Sequence, residues 1–311
     1  MGMVVLFFDG VGLGREDPGV NPFAAIGARR LAPAAGRPAE SEAAFRPLDP
    51  RLGVPGLPQS ATGQTTLFTG VNAARVLGRH HSGTPGPTLR RVLATESLFA
   101  KLRRAGASPT FANAYTTAHL TARRPRWSAT THMVLASGAP LRLLDDPAPA
   151  ALPAPAHFEP DGMMHDYVGD FAARRGIAVV PRSAAQAAAR LASYLDGHDL
   201  VLYEYFLTDL MAHRGTAEEC LEQARRVEAL TDAVVGAVDL ARHAVIVISD
   251  HGNLEDGEHR QHTENFVPLL GWGAGSRELV QRVSGMDELT PALVEALARD
   301  CGRPQRTTVR T

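Results

Sequence analysis

The chain has 311 residues, a formal net charge of −1 and a pI near 6.9, enough for one large α/β domain with or without an insert and no global field favouring nucleic acid or an anionic membrane. Its basic residues are almost all arginine, with Lys101 the only lysine, so a catalytic role that needs lysine has one candidate. Cys220 and Cys301 stand far apart in no metal-like spacing, which fits a reducing compartment; with no segment of transmembrane length, a cytoplasmic protein is expected.

The amino-terminal run Met3-Val4-Val5-Leu6-Phe7-Phe8 lacks a basic leader and is cut short by Asp9, so it reads as a buried strand of a parallel sheet rather than a signal sequence. The strand ends in Asp9-Gly10-Val11-Gly12-Leu13-Gly14, a carboxylate on a glycine-rich loop. Asp9 is then a turn former, a helix cap or a ligand. Residues 31–58 are rich in Ala, Pro and Gly without periodicity and are expected to be an irregular connection. After Pro58, the segment Ser60-Ala61-Thr62-Gly63-Gln64 suits a helix start. A hydroxyl there sits at the positive end of the helix dipole beside unpaired N–H groups, a setting that favours an alkoxide and binds phosphate oxygens; the plainer alternative is a serine N-cap.

A helix is expected over 96–106, ending at Gly106, and a strand with its exit over 109–115. From 116 to 170 the pattern loosens: Arg123, Arg124 and Arg126 cluster, histidines recur and prolines crowd. This is read as a small insert or cap over the sheet edge, splitting a catalytic domain into 1–115 and 171–311. The arginines either clamp a phosphate or carboxylate or form a solvated face. Ser128-Ala129-Thr130-Thr131 echoes the Ser60 segment, by chance among small residues or as a second helix start facing the same cleft.

Farther on, a helix over 184–195 precedes an apolar strand at 199–206. Asp209 and His213 follow, four apart, so one helical turn places both on one face; that is metal-ligand spacing or a hydrogen-bonded pair. Thr216-Ala217-Glu218-Glu219 is a capping box opening a long helix to about 241, with Leu221, Ala224, Val227, Leu230 and Val234 expected as its buried stripe. This helix leads to Ala244-Val245-Ile246-Val247-Ile248, a fully buried strand type, which stops at Ser249-Asp250-His251-Gly252-Asn253. A loop carrying His262 comes next, and the remainder, with a helix near 287–299, reads as scaffold.

In an open parallel sheet, ligands bind beyond the carboxyl ends of the strands. Asp9, Asp209, His213, Asp250, His251 and His262 are six potential ligands there, with the Ser60 hydroxyl among them. A mixed His/carboxylate set suits Zn or Mn, and six ligands suit two ions, the clamp used for in-line phosphoryl transfer.

The motifs Asp9-Gly10, Ser60 with Gly63 and Gln64, Thr69-Gly70-Val71, Asp209-x-x-x-His213-x-Gly215, Asp250-His251-Gly252-Asn253 and His262-Thr263-x-Asn265-x-Val267-Pro268 resemble the alkaline phosphatase superfamily. The nearest likeness is to its branch of cofactor-independent phosphoglycerate mutases and phosphopentomutases. The resemblance implies a three-layer α/β/α sandwich around a mostly parallel sheet. It also implies Asp209, His213 and His262 on one metal, and Asp9, Asp250 and His251 on the other, with Ser60 bridging as the phosphorylated nucleophile; it favours Ser60 over Ser128. The sulfatase branch is disfavoured, since neither cysteine begins a Cys-x-Pro-x-Arg segment. Mutases of this kind carry a much larger insert with substrate-binding arginines and a lysine. The short 116–170 segment therefore points to water reaching the phosphoserine. The expected activity is a two-metal phosphomonoesterase or phosphotransferase on a small phosphorylated metabolite. A phosphomutase, a phosphodiesterase and a metal-binding scaffold without catalysis are the alternatives.

Overall fold

Every residue of Met3–Phe8 is buried, and the two faces of this strand feed two separate cores. Met3, Val5 and Phe7 join one apolar cluster, whereas Val4, Leu6 and Phe8 join the other. A strand apolar on both faces needs helices on both sides, and the computed structural model, which describes residues 1–120, 122, 126–144, 158–159, 162–177 and 179–298, is such a three-layer α/β/α arrangement.

Its described strands are β1 (Met3–Phe8), β2 (Ala44–Leu48), β3 (Pro109–Phe111), β4 (Ala114–Tyr115), β5 (Leu141–Leu143), β6 (Phe158–Glu159), β7 (Leu200–Tyr205), β8 (Ala244–Ile248) and β9 (Val267–Gly273). The main sheet runs β2-β9-β8-β1-β7-β3, and β4-β5-β6 form a second, smaller sheet. β1 pairs in parallel with both β7 and β8, with Phe8 opposite Tyr205 and Phe7 opposite Ile248. Three carboxyl ends therefore lie side by side. β9 is antiparallel to β8, so the loop preceding β9 arrives at the same edge.

The long helix Ala217–Ala237 is capped by the reciprocal Thr216–Glu219 box. It buries Ala224, Val227, Leu230 and Val234, with Leu221 of the expected stripe only half-buried, while carrying the chain from β7 over β1 to β8. The 31–58 connection departs from expectation: it contains β2, an edge strand antiparallel to β9. Pro47 within it lies opposite Pro268; proline cannot donate to the ladder and is rare inside strands, which is why this one is hard to see in the sequence. The 96–106 segment forms Leu98–Arg104 with Ser97 as N-cap. Lys101 donates to the Thr69 carbonyl at 2.8 Å and pairs with Glu96 at 2.9 Å, so the single lysine ties down the exit of the Ser60 helix. Among the described residues no helix is long and apolar enough to cross a membrane.

Candidate metal centre and nucleophile

The site is built from loops that leave adjacent strand ends. Asp9 follows β1 directly, and its Oδ2 accepts from Gln64 Nε2 at 2.9 Å. Gly10 turns the chain with φ +72°, and a Cβ there would lie 2.9 Å from the Asp209 Cβ; only glycine lets these two acidic loops meet. Asp250, at the end of β8, is wholly buried and accepts from Gly10 N at 3.3 Å.

Helix Ser60–Leu67 enters with Gln59 as N-cap and no side-chain cap. Its first-turn amides have no partner within the helix, and Ser60 is its first residue. A Cβ at Gly63 would sit 2.8 Å from the Asp250 carbonyl, so the helix packs directly on the Asp250 turn. That approach delivers Ser60 Oγ to 3.0 Å from His251 Nε2.

Two groups of ligand atoms result. Those of Asp9, Asp250 and His251 lie within 4.8 Å of one another, as do those of Asp209, His251 and His262. His251 Nε2 is 3.2 Å from Asp9 Oδ1 and 3.6 Å from Asp250 Oδ2, and neither of those carboxylate oxygens has a hydrogen-bond partner. His213 extends the second group. Its Nε2 is 3.3 Å from Asp209 Oδ1 and 2.9 Å from His262 Nε2, which is itself 3.4 Å from Asp209 Oδ1.

The ring orientation is set from behind. His213 Nδ1 lies 2.7 Å from the Arg260 carbonyl, and His262 Nδ1 lies 2.7 Å from the Pro58 carbonyl. A carbonyl only accepts, so each Nδ1 carries a proton, and a ring that gives up its other proton to make way for a metal keeps its Nε2 lone pair facing inward. Two nitrogen lone pairs and a carboxylate oxygen then converge on one point, a set that fits a divalent cation with its outer hydrogen bonds in place.

The charges agree. Burial, then the charges of Asp250 and Asp209, push Asp9 up to about 8; burial likewise raises Asp250. Burial works against a charged His251, but Asp250, Asp9 and Asp209 outweigh it and lift the imidazole to about 10. Burial also opposes ionisation of Asp209, yet the hydrogen bonds from His213 and His262 hold it far below the usual carboxylate range. Three carboxylates crowded in a dry site require positive charge, and the histidines alone supply it only by taking protons.

All seven residues singled out in the sequence, Asp9, Ser60, Asp209, His213, Asp250, His251 and His262, are thus brought to one place. Arg126 lines a cavity of about 560 Å³ that opens beside Asp9, Ser60 and Asp209, while Arg123 and Arg124 lie outside the described residues. The Ser128 segment is a second helix start, Ala129–Ser137, capped by Ser128. It faces the same cavity, with Ser128 and Thr131 in the wall.

Compared with known proteins, residues 174–298 match the Metalloenzyme superfamily model. A 2,3-bisphosphoglycerate-independent phosphoglycerate mutase of Cereibacter sphaeroides is 34% identical over 119 residues, covering 35% of this chain and 22% of that protein. The chain therefore spans about a fifth of the length of such relatives. By structure, the alkaline phosphatase of the Antarctic bacterium TAB5 aligns with a TM-score of 0.52 at 11% identity, over 97% of this chain and 99% of that one. The fold is alkaline-phosphatase-like. The PH0037 protein of Pyrococcus horikoshii matches it too, with a TM-score of 0.55 at 14% identity over 98% of both chains.

Within this alkaline-phosphatase-like frame stand two acidic residues that the sequence reading passed over. Glu255 is buried and binds three loops together: it accepts from Gly12 N, Asn253 N, Thr263 Oγ1 and Asn265 Nδ2 at 2.8, 2.8, 2.6 and 2.9 Å. Glu204 ends β7 beside Asp9 and accepts from Thr130 Oγ1 at 2.6 Å. Burial raises it to about 8 against that hydrogen bond, with Asp9 adding to the effect. An acidic residue inside the run Leu200–Tyr205, otherwise apolar or aromatic, was the available signal for Glu204. Glu255 had none, because its partners are fixed only when the loops meet.

Proposed function

We propose that the protein is a two-metal phosphomonoesterase or phosphotransferase acting on a small phosphorylated metabolite through a phosphorylated Ser60. The observation that carries this reading is Ser60 Oγ at a helix start, 3.0 Å from His251 Nε2 and beside two converging ligand groups. Asp9, Asp250 and His251 with Ser60 would hold one divalent ion, and Asp209, His213 and His262 the other, Mn or Zn by donor type. Bound there, such ions supply Lewis-acid stabilisation of phosphoryl charge and a lowered hydroxyl pKa.

The chain's own groups do the rest. First-turn amides of Ser60–Leu67 face the phosphoryl oxygens. Ser60 Oγ bonds to phosphorus as its proton passes to water. The bond from phosphorus to the leaving oxygen breaks, its electron pair staying on that oxygen, which takes up a proton. Gln64, bonded to Asp9, and Asn253, which donates to Asp209 Oδ1 at 2.8 Å, hold the carboxylates in place. Water then attacks the phosphoserine and releases phosphate and Ser60.

Residues 116–170 are read as a small cap on a catalytic domain of 1–115 and 171–311. Supporting this, Arg126, Ser128 and His165 line the cavity beside Ser60. A short cap admits water, which favours hydrolysis. The similarity to phosphoglycerate mutases favours a second reading, in which the phosphoryl group returns to another oxygen of the substrate.

The experiment is phosphate release from a panel of phosphomonoesters with added Mn or Zn, for wild type, Ser60→Ala and Asp250→Asn. Metal-dependent release lost in both variants supports the hydrolase. Conversion of one phosphoester into its isomer without release supports the mutase. No change in any phosphoester under either metal overturns both.

A further inference from the structure

The cavity beside Ser60 has a composition that the phosphoryl chemistry does not use. At about 560 Å³ it is within the range of sites that enclose a drug-sized ligand, and a group of aromatic rings stands in its wall. Phe206 packs edge-on to Phe171 at 5.3 Å and to His165 at 5.4 Å. His165 meets Tyr115 at 5.1 Å, and Tyr115 stacks on His119 at 5.4 Å with the planes 10° apart. These five rings line the cavity together.

Burial lowers both of the histidines among them, His165 to about 3 with His119 adding to it, so these rings favour the uncharged form. Arg175, also in the wall, lies 3.5 Å over the Phe171 ring and donates to the Phe171 carbonyl at 3.0 Å. Its guanidinium is therefore partly engaged with the ring it covers.

A second, independent feature gives the cavity a polar end. Asp166 lines it and is 1% exposed. Its Oδ2 accepts from Phe171 N at 2.5 Å, but its Oδ1 is buried without a hydrogen-bond partner. Buried acceptors are normally satisfied, and this unpaired one belongs to a residue of the cavity wall.

We propose that this cavity takes the alcohol portion of the phosphoester and is built for a planar aromatic body bearing a hydrogen-bond donor that Asp166 accepts. Aromatic walls reward a flat apolar body through stacking and edge contacts. A carboxylate on the leaving group that reached the Asp166 end would be repelled there, even though Arg126 and Arg175 also line the cavity. This inference rests on the phosphomonoester reading of the Ser60 site and adds its substrate class.

The test uses non-hydrolysable phosphonates on the Mn-loaded full chain, followed by calorimetry: benzylphosphonate, (4-hydroxybenzyl)phosphonate, 3-phosphonopropionate and inorganic phosphate. Benzylphosphonate is expected to bind at least tenfold more tightly than 3-phosphonopropionate, and the 4-hydroxy compound more tightly still. Phe206→Leu should reduce the aryl-to-carboxyalkyl affinity ratio at least fivefold, and Asp166→Asn should remove the gain from the hydroxyl. Equal or tighter binding of 3-phosphonopropionate, or an affinity ratio indifferent to Phe206→Leu, overturns the proposal. If inorganic phosphate binds and aliphatic phosphoesters are turned over without aryl preference, only this inference fails. If neither phosphate nor any phosphonate binds, the reading of the Ser60 site fails with it.

Discussion

Glu255 Oε2 accepts the backbone N–H of Gly12 at 2.8 Å, joining the loop after β1 to the loop after β8 across 243 residues of sequence. Its other oxygen takes Thr263 Oγ1 and Asn265 Nδ2 from the loop that carries His262. One buried carboxylate thus sets the spacing of three ligand-bearing loops, with no ligand role of its own in the proposed centre. Loss of such an outer partner costs about 10–100-fold in metal affinity. Glu255→Gln, which keeps shape but turns an acceptor into a donor, is expected to weaken Mn binding by this amount with the chain still folded. Metal titration alongside circular dichroism checks it.

Removing divalent metal should destabilise the native chain, because Asp9, Asp209 and Asp250 are then left to share protons. A ligand at a hundred times its Kd adds about 2.7 kcal/mol to the native state. Chelation should therefore lower Tm by several degrees, and Mn or Zn should restore it. His213→Ala and His262→Ala should each reduce that metal-dependent gain. A melting curve indifferent to chelator would contradict the two-group geometry.

If Ser60 is the nucleophile as proposed, Ser60→Ala is expected to lower turnover by about a thousandfold or more, while retaining metal through the six other proposed ligands. The trapped phosphoserine supplies the direct readout: mass spectrometry after acid quench should find phosphate on the Ser60 peptide in wild type and not in the variant.

Lys101 serves as a contrast. Its ammonium is engaged by the Thr69 carbonyl and Glu96, so Lys101→Ala should cost about 1–2 kcal/mol of stability and leave kcat within a few-fold. Denaturant titration and steady-state kinetics separate the two effects.

His165 gives a pH signature. Burial, with His119 adding to it, depresses its folded pKa from the ordinary 6.5 to about 3. Between those values the unfolded chain binds a proton that the folded chain does not, so stability falls as pH drops through that window and is unaffected above it. His165→Phe removes this component. Its unfolding free energy should vary less between pH 6.5 and 4 than that of wild type.

The sequence alone determined the elements whose signals are local. The apolar runs of β1, β7 and β8, the Thr216–Glu219 box and the four-residue spacing of Asp209 and His213 each depend on neighbours along the chain, where periodicity and capping act. It also determined that acidic and imidazole groups follow three strand ends and that a hydroxyl opens a helix. Tertiary structure decided what depends on separate loops meeting. His213 and His262 aim their Nε2 atoms at one point because the Arg260 and Pro58 carbonyls hold them from behind. Glu255 finds its partners only when three loops converge. β2, masked by its proline, is a strand because β9 offers it an edge. The Ser128 segment faces the cavity because helix packing turns it there. None of these contacts has a period or a motif, since each is fixed by packing between residues remote in sequence, and packing is settled only when the whole core closes.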